Sequence, residues 1–312
     1  MISFGPVTSR RLGKSLGINT ILSGKTCSYS CVYCQVGLTK KYCAVSMEFY
    51  KPEVIYKEVA AHLNKLTPDN TPDYLTFVAN GEPTLDVHLG ETIELLKTFK
   101  IPIAVITNAS LIHDANVRAN LKLADWVSVK VDAGNKEIWK TVNRPHHSLD
   151  FEKYKEGLLL FSQEYNGKLV SETMLVKNAN DTLENMQQIA QIVSKLNVSV
   201  AYILVPTRPP AVKTVTVPDG AAINQAYQVF NENGLNTEMV LGFEGNGAGF
   251  TGNAFEDIVN MCTVHPIRSD TMLELLKKDK ADSGVFQTLL DGQYIEAVKY
   301  GGKVFYFRKF HV

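Results

Sequence analysis

The chain has 312 residues, 45% hydrophobic and 21% charged, and its 32 Lys and Arg balance its 32 Asp and Glu to zero formal net charge. Such a composition belongs to a globular protein of a length that single (β/α) barrels commonly reach, and the charge balance gives no sign of a wholesale polyanion binder. The opening "MISFGPVTSRRLG" carries Arg10 and Arg11 but no apolar signal-peptide core, and no run approaches the roughly 18 apolar residues of a membrane helix. The expectation is a cytoplasmic protein without membrane contact, in a reducing compartment where structural disulfides are rare.

Short β-branched runs alternate with helical spacing along most of the chain. "INTIL" (18–22) predicts a first strand, and "EVIYKEVAAHLNKL" (53–66) a helix with Pro52 near its start. Strand 74–79 precedes helix 87–99, strand 101–107 precedes helix 114–122, and strand 125–132 precedes helices 135–142 and 151–165. Strand 168–176 leads to helix 181–196, where Asp181 and Glu184 read as a capping pair, and strand 198–205 leads to helix 221–234 with Gly234 as its stop. Six β–α units, several with unbroken apolar strands, predict an α/β fold with a parallel sheet covered on both faces: an open, partial (β/α)6 TIM-type barrel.

The pattern changes after residue 235. "GFEGNGAGFTGN" (242–253) is Gly-rich and reads as a loop. Beyond it, 269–280 and 283–292 are short amphipathic helices, and 294–310 is a hairpin around Gly301 and Gly302. The chain thus divides into an α/β core (1–240), a linker and junction (241–265) and a small C-terminal winged-helix-like domain (266–312).

Cys27, Cys31 and Cys34 fall within "KTCSYSCVYCQVG", in the loop after the first predicted strand. That is the C-terminal end of the sheet, where barrels place their chemistry. The spacing differs from the paired C-x2-C knuckles of structural zinc. Three thiolates suit three irons of a 4Fe–4S cube, leaving the fourth iron to a substrate or cofactor. Cys43, nine residues downstream, reads as a bystander rather than a fourth ligand, and Cys262 as a buried or free thiol.

C-x3-C-x2-C with Tyr33 before the last cysteine resembles the cluster motif of the radical S-adenosylmethionine (SAM) superfamily, and "NGEPTL" (80–85) resembles that family's glycine–glutamate motif. The resemblance implies a 4Fe–4S cluster on Cys27, Cys31 and Cys34, with Gly81, Glu82 and Pro83 at the amino group of the cofactor's methionine. It further implies Asn108, Ser128 and Asp132 as polar contacts of its ribose and carboxylate, and Met174 and Val205 beside its adenine. One electron, from a reductant such as flavodoxin or ferredoxin, would cleave S-adenosylmethionine and release a 5′-deoxyadenosyl radical. Within the superfamily, "FGPVTSRRLGKSLGIN" (4–19), "VDAGN", "VNRP", "RPP" and "HPIR" (265–268) resemble a subgroup related to the archaeal tRNA wyosine synthase. The chain departs from that enzyme in having no second cysteine set and in its C-terminal domain. RNA or tRNA is one implied substrate and a peptide another.

Other residues read more plainly. Arg10 and Arg11 read as a solvated or salt-bridged pair, Arg144, His146 and His147 as loop residues, and His265 as a junction residue. The hairpin's Lys299, Lys303, Arg308 and Lys309 read as solvated. The alternative to an enzyme is a zinc or iron–sulfur regulator with a DNA-binding winged helix; strand-end polar motifs and neutral charge favour the enzyme.

Overall fold

The computed structural model describes residues 2–21, 24–242 and 250–309, apart from the side chain of Val264. It opens with a hairpin, β1 (Ser3–Ser9) against β2 (Gly13–Ile18). Two very short strands, β3 (Thr26–Cys27) and β4 (Lys41–Tyr42), pair in parallel and bracket the cysteine loop. Then α1 (Pro52–Leu63) starts on a proline, whose missing N–H costs nothing at that position. The alternating part follows: β5 (Tyr74–Phe77), α2 (Leu89–Leu96), β6 (Ile103–Thr107), α3 (Ala115–Leu121), β7 (Trp126–Lys130), α4 (Lys136–Val142) and α5 (Phe151–Glu164). It continues through β8 (Lys168–Met174), α6 (Leu183–Val193), β9 (Val200–Leu204), α7 (Gly220–Glu232) and β10 (Thr237–Val240).

Eight of these strands form one sheet in the order β1-β2-β5-β6-β7-β8-β9-β10, parallel from β2 onward. The sheet curls into an incomplete barrel with both faces buried. Its outer face sets Val105, Val127, Val129 and Ile203 against helix residues such as Ile93, Phe161 and Phe230. Its inner face packs Ala104, Trp126, Val170, Tyr202 and Val240 with Leu12. Burial on both faces is the physical reason these strands read as continuous apolar runs.

The last part runs α8 (Ala254–Val264), β11 (Ile267–Arg268), α9 (Ser269–Lys278), α10 (Ser283–Asp291), β12 (Ile295–Tyr300) and β13 (Lys303–Arg308). β11, β13 and β12 form a separate antiparallel sheet. Ile258, Met261, Cys262, Met272, Leu275 and Leu289 make a second core, against which Val7 of β1 packs. The C-terminal elements therefore pack against the β1 edge of the barrel sheet at Val7, while His62 of α1 lies 3.1 Å from the Gly5 carbonyl oxygen on the same strand.

Several expectations shift. The first parallel strand is β2, ending at Ile18, rather than 18–22, of which Leu22 lies outside the described residues. β1 and β10 carry no strand signal of their own: "SFGPVTS" has no alternating apolar pattern, and "TEMV" is defined by its neighbour β9. The parallel strands accordingly number seven rather than six. Residues 254–264, assigned to the linker, form α8, because Ile258, Met261 and Cys262 recur at helical spacing and are buried. The Gly-rich loop at 243–249 lies outside the described residues, as does Phe310 at the hairpin's end. The cap of α6 is Thr182, whose hydroxyl accepts from Asn185 N at 3.3 Å, while Asp181 accepts from Asn178 N.

Phe161 is fully buried and stacks on Tyr165 with ring centroids 4.9 Å apart. Phe161→Ala is expected to lower stability by about 3–5 kcal/mol, measured by urea denaturation, with an unchanged denaturant slope.

Candidate functional site

The cysteine loop is held by backbone from three directions. Thr26 N donates to Asn80 O at 3.2 Å and Glu82 N donates to Thr26 O at 3.2 Å, so the segment after β5 forms a bridge with β3. Between those bonds stands Gly81, with φ +143°, where a Cβ would lie 1.6 Å from the Thr26 carbonyl oxygen. Only glycine allows this approach. On the second side, Ser30 N donates to Asn143 O at 3.0 Å, Val32 N to Val142 O at 2.9 Å, and His146 N to Ser28 O at 2.8 Å. On the third, Lys25 O accepts from Lys40 N and Lys41 N, and Cys43 N donates to Cys27 O.

Each of the three sulfurs receives a donor. Tyr29 N and Asn108 Nδ2 lie 3.4 and 3.5 Å from Cys27 Sγ, and Asn143 Nδ2 lies 3.6 Å from Cys31 Sγ. Lys25 Nζ is 3.1 Å from Cys34 Sγ and 2.7 Å from Gly37 O. Burial pushes the Cys31 thiol up to about 12, with Cys34 and Asp132 adding to the rise, and it pushes Cys27 up as well. These thiols are protonated at neutral pH unless a cation replaces the proton. Cys43 instead turns to the Val45 backbone, accepting from its N at 3.4 Å, and Cys262 is buried in the C-terminal core.

Two buried carboxylates organise the strand ends. Glu82 accepts from Thr84 N at 3.0 Å, Thr84 Oγ1 at 2.7 Å, Thr107 Oγ1 at 2.5 Å and Asn108 N at 2.7 Å, tying the end of β5 to the end of β6. Burial raises its pKa, and these donors oppose the rise. Asp132, just past β7, accepts from Tyr33 Oη, from Asn143 Nδ2 at 2.7 Å and from Met174 N at 2.8 Å. It therefore joins the cysteine loop, the end of α4 and the end of β8.

Beside this network a cavity of about 260 Å³ opens within the barrel. Tyr33, Cys34, Met174 and Val205 line it, as do Arg11, Lys130, Glu172, Arg208 and His265. Arg11 pairs with Glu172, and Lys130 Nζ lies 2.9 Å from the same carboxylate. Burial works against the Glu172 charge, but Arg11 and then Lys130 outweigh it and bring its pKa to about 2. Arg208 donates to His265 Nε2 at 2.9 Å; burial, and then Arg208 and Arg11, keep that imidazole neutral. Arg208 follows β9 and His265 follows α8, so the C-terminal elements supply part of the wall.

Of the residues singled out from sequence, Tyr33, Cys34, Met174 and Val205 reach the cavity. Cys27, Cys31, Glu82, Asn108 and Asp132 form the hydrogen-bonded layer beside it, with Gly81 and Pro83 in the adjoining turn. Ser128 stands apart: it is fully buried in the middle of β7 and does not line the cavity, because the strand runs two residues further, to Lys130. Arg11 is salt-bridged as expected, but inside the barrel. Sequence reasoning assigned no role to Lys25, Asn143, Lys130 or Glu172. Only the "VNRP" motif pointed toward Asn143; the other three have no signal beyond being charged residues beside strands.

The Radical SAM superfamily model matches residues 21–191, more than half of the chain, and the chain belongs to that superfamily. A UPF0026 protein of Methanocaldococcus jannaschii is 43% identical over 309 residues, covering 98% of this chain and 96% of that one. A UPF0026 protein of Helicobacter pylori strain J99 is 40% identical over 215 residues, 68% of each chain. Among solved structures, a radical SAM methyltransferase from Sphaerobacter thermophilus aligns with TM-score 0.57 at 14% identity, covering 73% of this chain and 66% of that one. Streptococcus suis SuiB bound to S-adenosylmethionine aligns with TM-score 0.52 at 12% identity, covering 72% and 51%. The fold is therefore the superfamily's partial TIM barrel, and the protein is a radical SAM enzyme.

Gly81→Ala drives a methyl group into the Thr26 carbonyl, and is expected to cost about 3 kcal/mol or more and to displace the cysteine loop, read as faster alkylation of Cys27 and a lower Tm. Glu172→Gln strips two cations of their buried carboxylate and is expected to cost about 3 kcal/mol at neutral pH. Because the native Glu172 pKa lies near 2 rather than 4.5, its stabilisation is present above about pH 4.5 and lost as pH falls toward 2. The stability gap between wild type and E172Q should narrow over that window in acid denaturation.

Proposed function

We propose that Cys27, Cys31 and Cys34 hold a 4Fe–4S cluster and that the chain uses it with S-adenosylmethionine to modify an RNA or peptide substrate. The observation that carries this reading is the donor set: three thiols in one eight-residue loop, Cys27 buried and Cys31 and Cys34 partly buried, each with an N–H or ammonium directed at its sulfur. Among the described residues no group of three or more His, Cys, Asp or Glu side chains is gathered so as to hold a metal ion. A cube, in which each thiolate meets a different iron, does not require the sulfurs to converge on one point, and this favours it over a single zinc. When bound, the two groups supply reductive cleavage of the sulfonium and a 5′-deoxyadenosyl radical that removes hydrogen from an unreactive C–H bond.

The chain's own residues supply placement. The turn Gly81–Glu82–Pro83 would lie at the cofactor's amino group, with the Glu82 carboxylate holding that turn through Thr84, Thr107 and Asn108. Met174 and Val205 give an apolar wall for the adenine. Asp132 fixes Tyr33 beside the cluster loop, and Asn108 does the same for Cys27. The cavity bordered by Arg11, Lys130 and Glu172 receives the reacting part of the substrate. The cavity of about 260 Å³ is shared with the cofactor's adenine at Met174 and Val205, so a polymer enters it only by a single extruded group. The C-terminal helix–helix–hairpin elements, as a winged-helix-like domain, present that polymer. Support for a peptide comes from SuiB, whose structure with its precursor peptide SuiA aligns with TM-score 0.53. Support for RNA comes from the motifs that resemble those of the wyosine synthase subgroup. Flavodoxin or ferredoxin supplies the electron.

Anaerobic reconstitution with iron and sulfide is expected to give brown protein with broad absorbance that releases 5′-deoxyadenosine from S-adenosylmethionine and dithionite. Cys31→Ala should lose iron and at least tenfold of that product, while Cys43→Ala should keep both. Colourless protein carrying stoichiometric zinc would overturn the reading.

A further inference from the structure

Lys25 is a lysine in a place where lysines are rarely found. The residue is 5% exposed, directly ahead of β3, and its backbone oxygen is pinned by Lys40 N and Lys41 N at 3.1 and 2.9 Å. Its side chain runs across the loop to place Nζ 3.1 Å from Cys34 Sγ, with a second bond to Gly37 O. Burying an ammonium beside a neutral thiol costs several kcal/mol with little return, because a thiol is a weak acceptor. The same ammonium beside a ligating thiolate makes a charge-assisted bond.

Hydrogen bonds to the sulfurs, net charge and solvent exposure are what set an iron–sulfur reduction potential. Uptake of one electron from an external donor adds one negative charge to a group already ligated by three thiolates. A fixed positive charge against one ligand favours the more negative, reduced form. Asn108 and Asn143 also donate to sulfur, but as neutral amides their effect is smaller.

We propose that the Lys25 ammonium is a positioning residue that raises the reduction potential of the cluster held at Cys34, bringing it within reach of its electron donor. The proposal rests on the cluster reading above. It is distinct from cluster retention, which the three thiolates provide.

The experiment is an EPR-monitored redox titration of the reconstituted full-length protein, wild type against Lys25→Gln and Lys25→Arg, with iron and sulfide counted in each. Gln keeps a donor and loses the charge; Arg keeps the charge. The expected result is full iron content in all three, a midpoint potential shifted to more negative values in K25Q, and one restored toward wild type in K25R. A K25Q protein with full iron and the wild-type midpoint overturns the proposal. Loss of iron from both variants also overturns it, by assigning Lys25 to loop shape alone. Wild-type protein that takes up no iron would instead sink the cluster reading itself, so the two failures are separable.

Discussion

The contact of Gly81 with the Thr26 carbonyl is the point on which the site turns. It is a backbone-to-backbone approach made possible by a missing side chain, and it fixes the cysteine loop to the end of β5. Everything nearby depends on that registration. Glu82, one residue on, can then reach Thr107 and Asn108 at the end of β6, and Asn108 can reach Cys27. A loop fixed only by its own turns would leave the three sulfurs free to wander. Fixed against the sheet, it inherits the rigidity of the parallel strands.

A second layer of order comes from buried charge. Asp132 gathers Tyr33, Asn143 and Met174 N, while Glu172 gathers Arg11 and Lys130. Each carboxylate crosses between elements distant in sequence, and each is costly unless its donors are in place. Such networks specify one arrangement of strand ends more sharply than apolar packing does, and it is the strand ends that carry the polar residues of this barrel. Lys25 belongs to the same pattern with the sign reversed: a buried cation, held where three sulfurs lie.

Much of the fold was legible in the chain. Unbroken apolar strands between helical runs identified a parallel sheet with two covered faces, and the Gly301–Gly302 hairpin formed where the turn residues placed it. The terminal strands were not legible. β1 and β10 are edge strands whose pairing comes from a neighbour already in the sheet, so their own composition carries little signal. α8 was hidden behind the Gly-rich stretch before it. Among site residues, the cysteines stood out by spacing and the glycine–glutamate segment by its resemblance to the radical SAM motif. Ser128 did not reach the cavity because it lies in the middle of β7, two residues before the strand ends, and only residues at strand ends stand at the rim.

The sequence by itself determined the donor chemistry: three thiols in a fixed short spacing, an aromatic beside the last, and a carboxylate next to the glycine at a later strand end. Covalent neighbours are set by chain order, so that much needs no fold. Tertiary structure alone decided which charges are buried together. Lys25 against Cys34, Tyr33 against Asp132 and Arg11 against Glu172 are separated by 9, 99 and 161 positions, and no local rule relates their members. The curl of the sheet brings the later pairs together, because parallel strands joined by helices return every strand end to the same rim, and low dielectric there makes each pairing count.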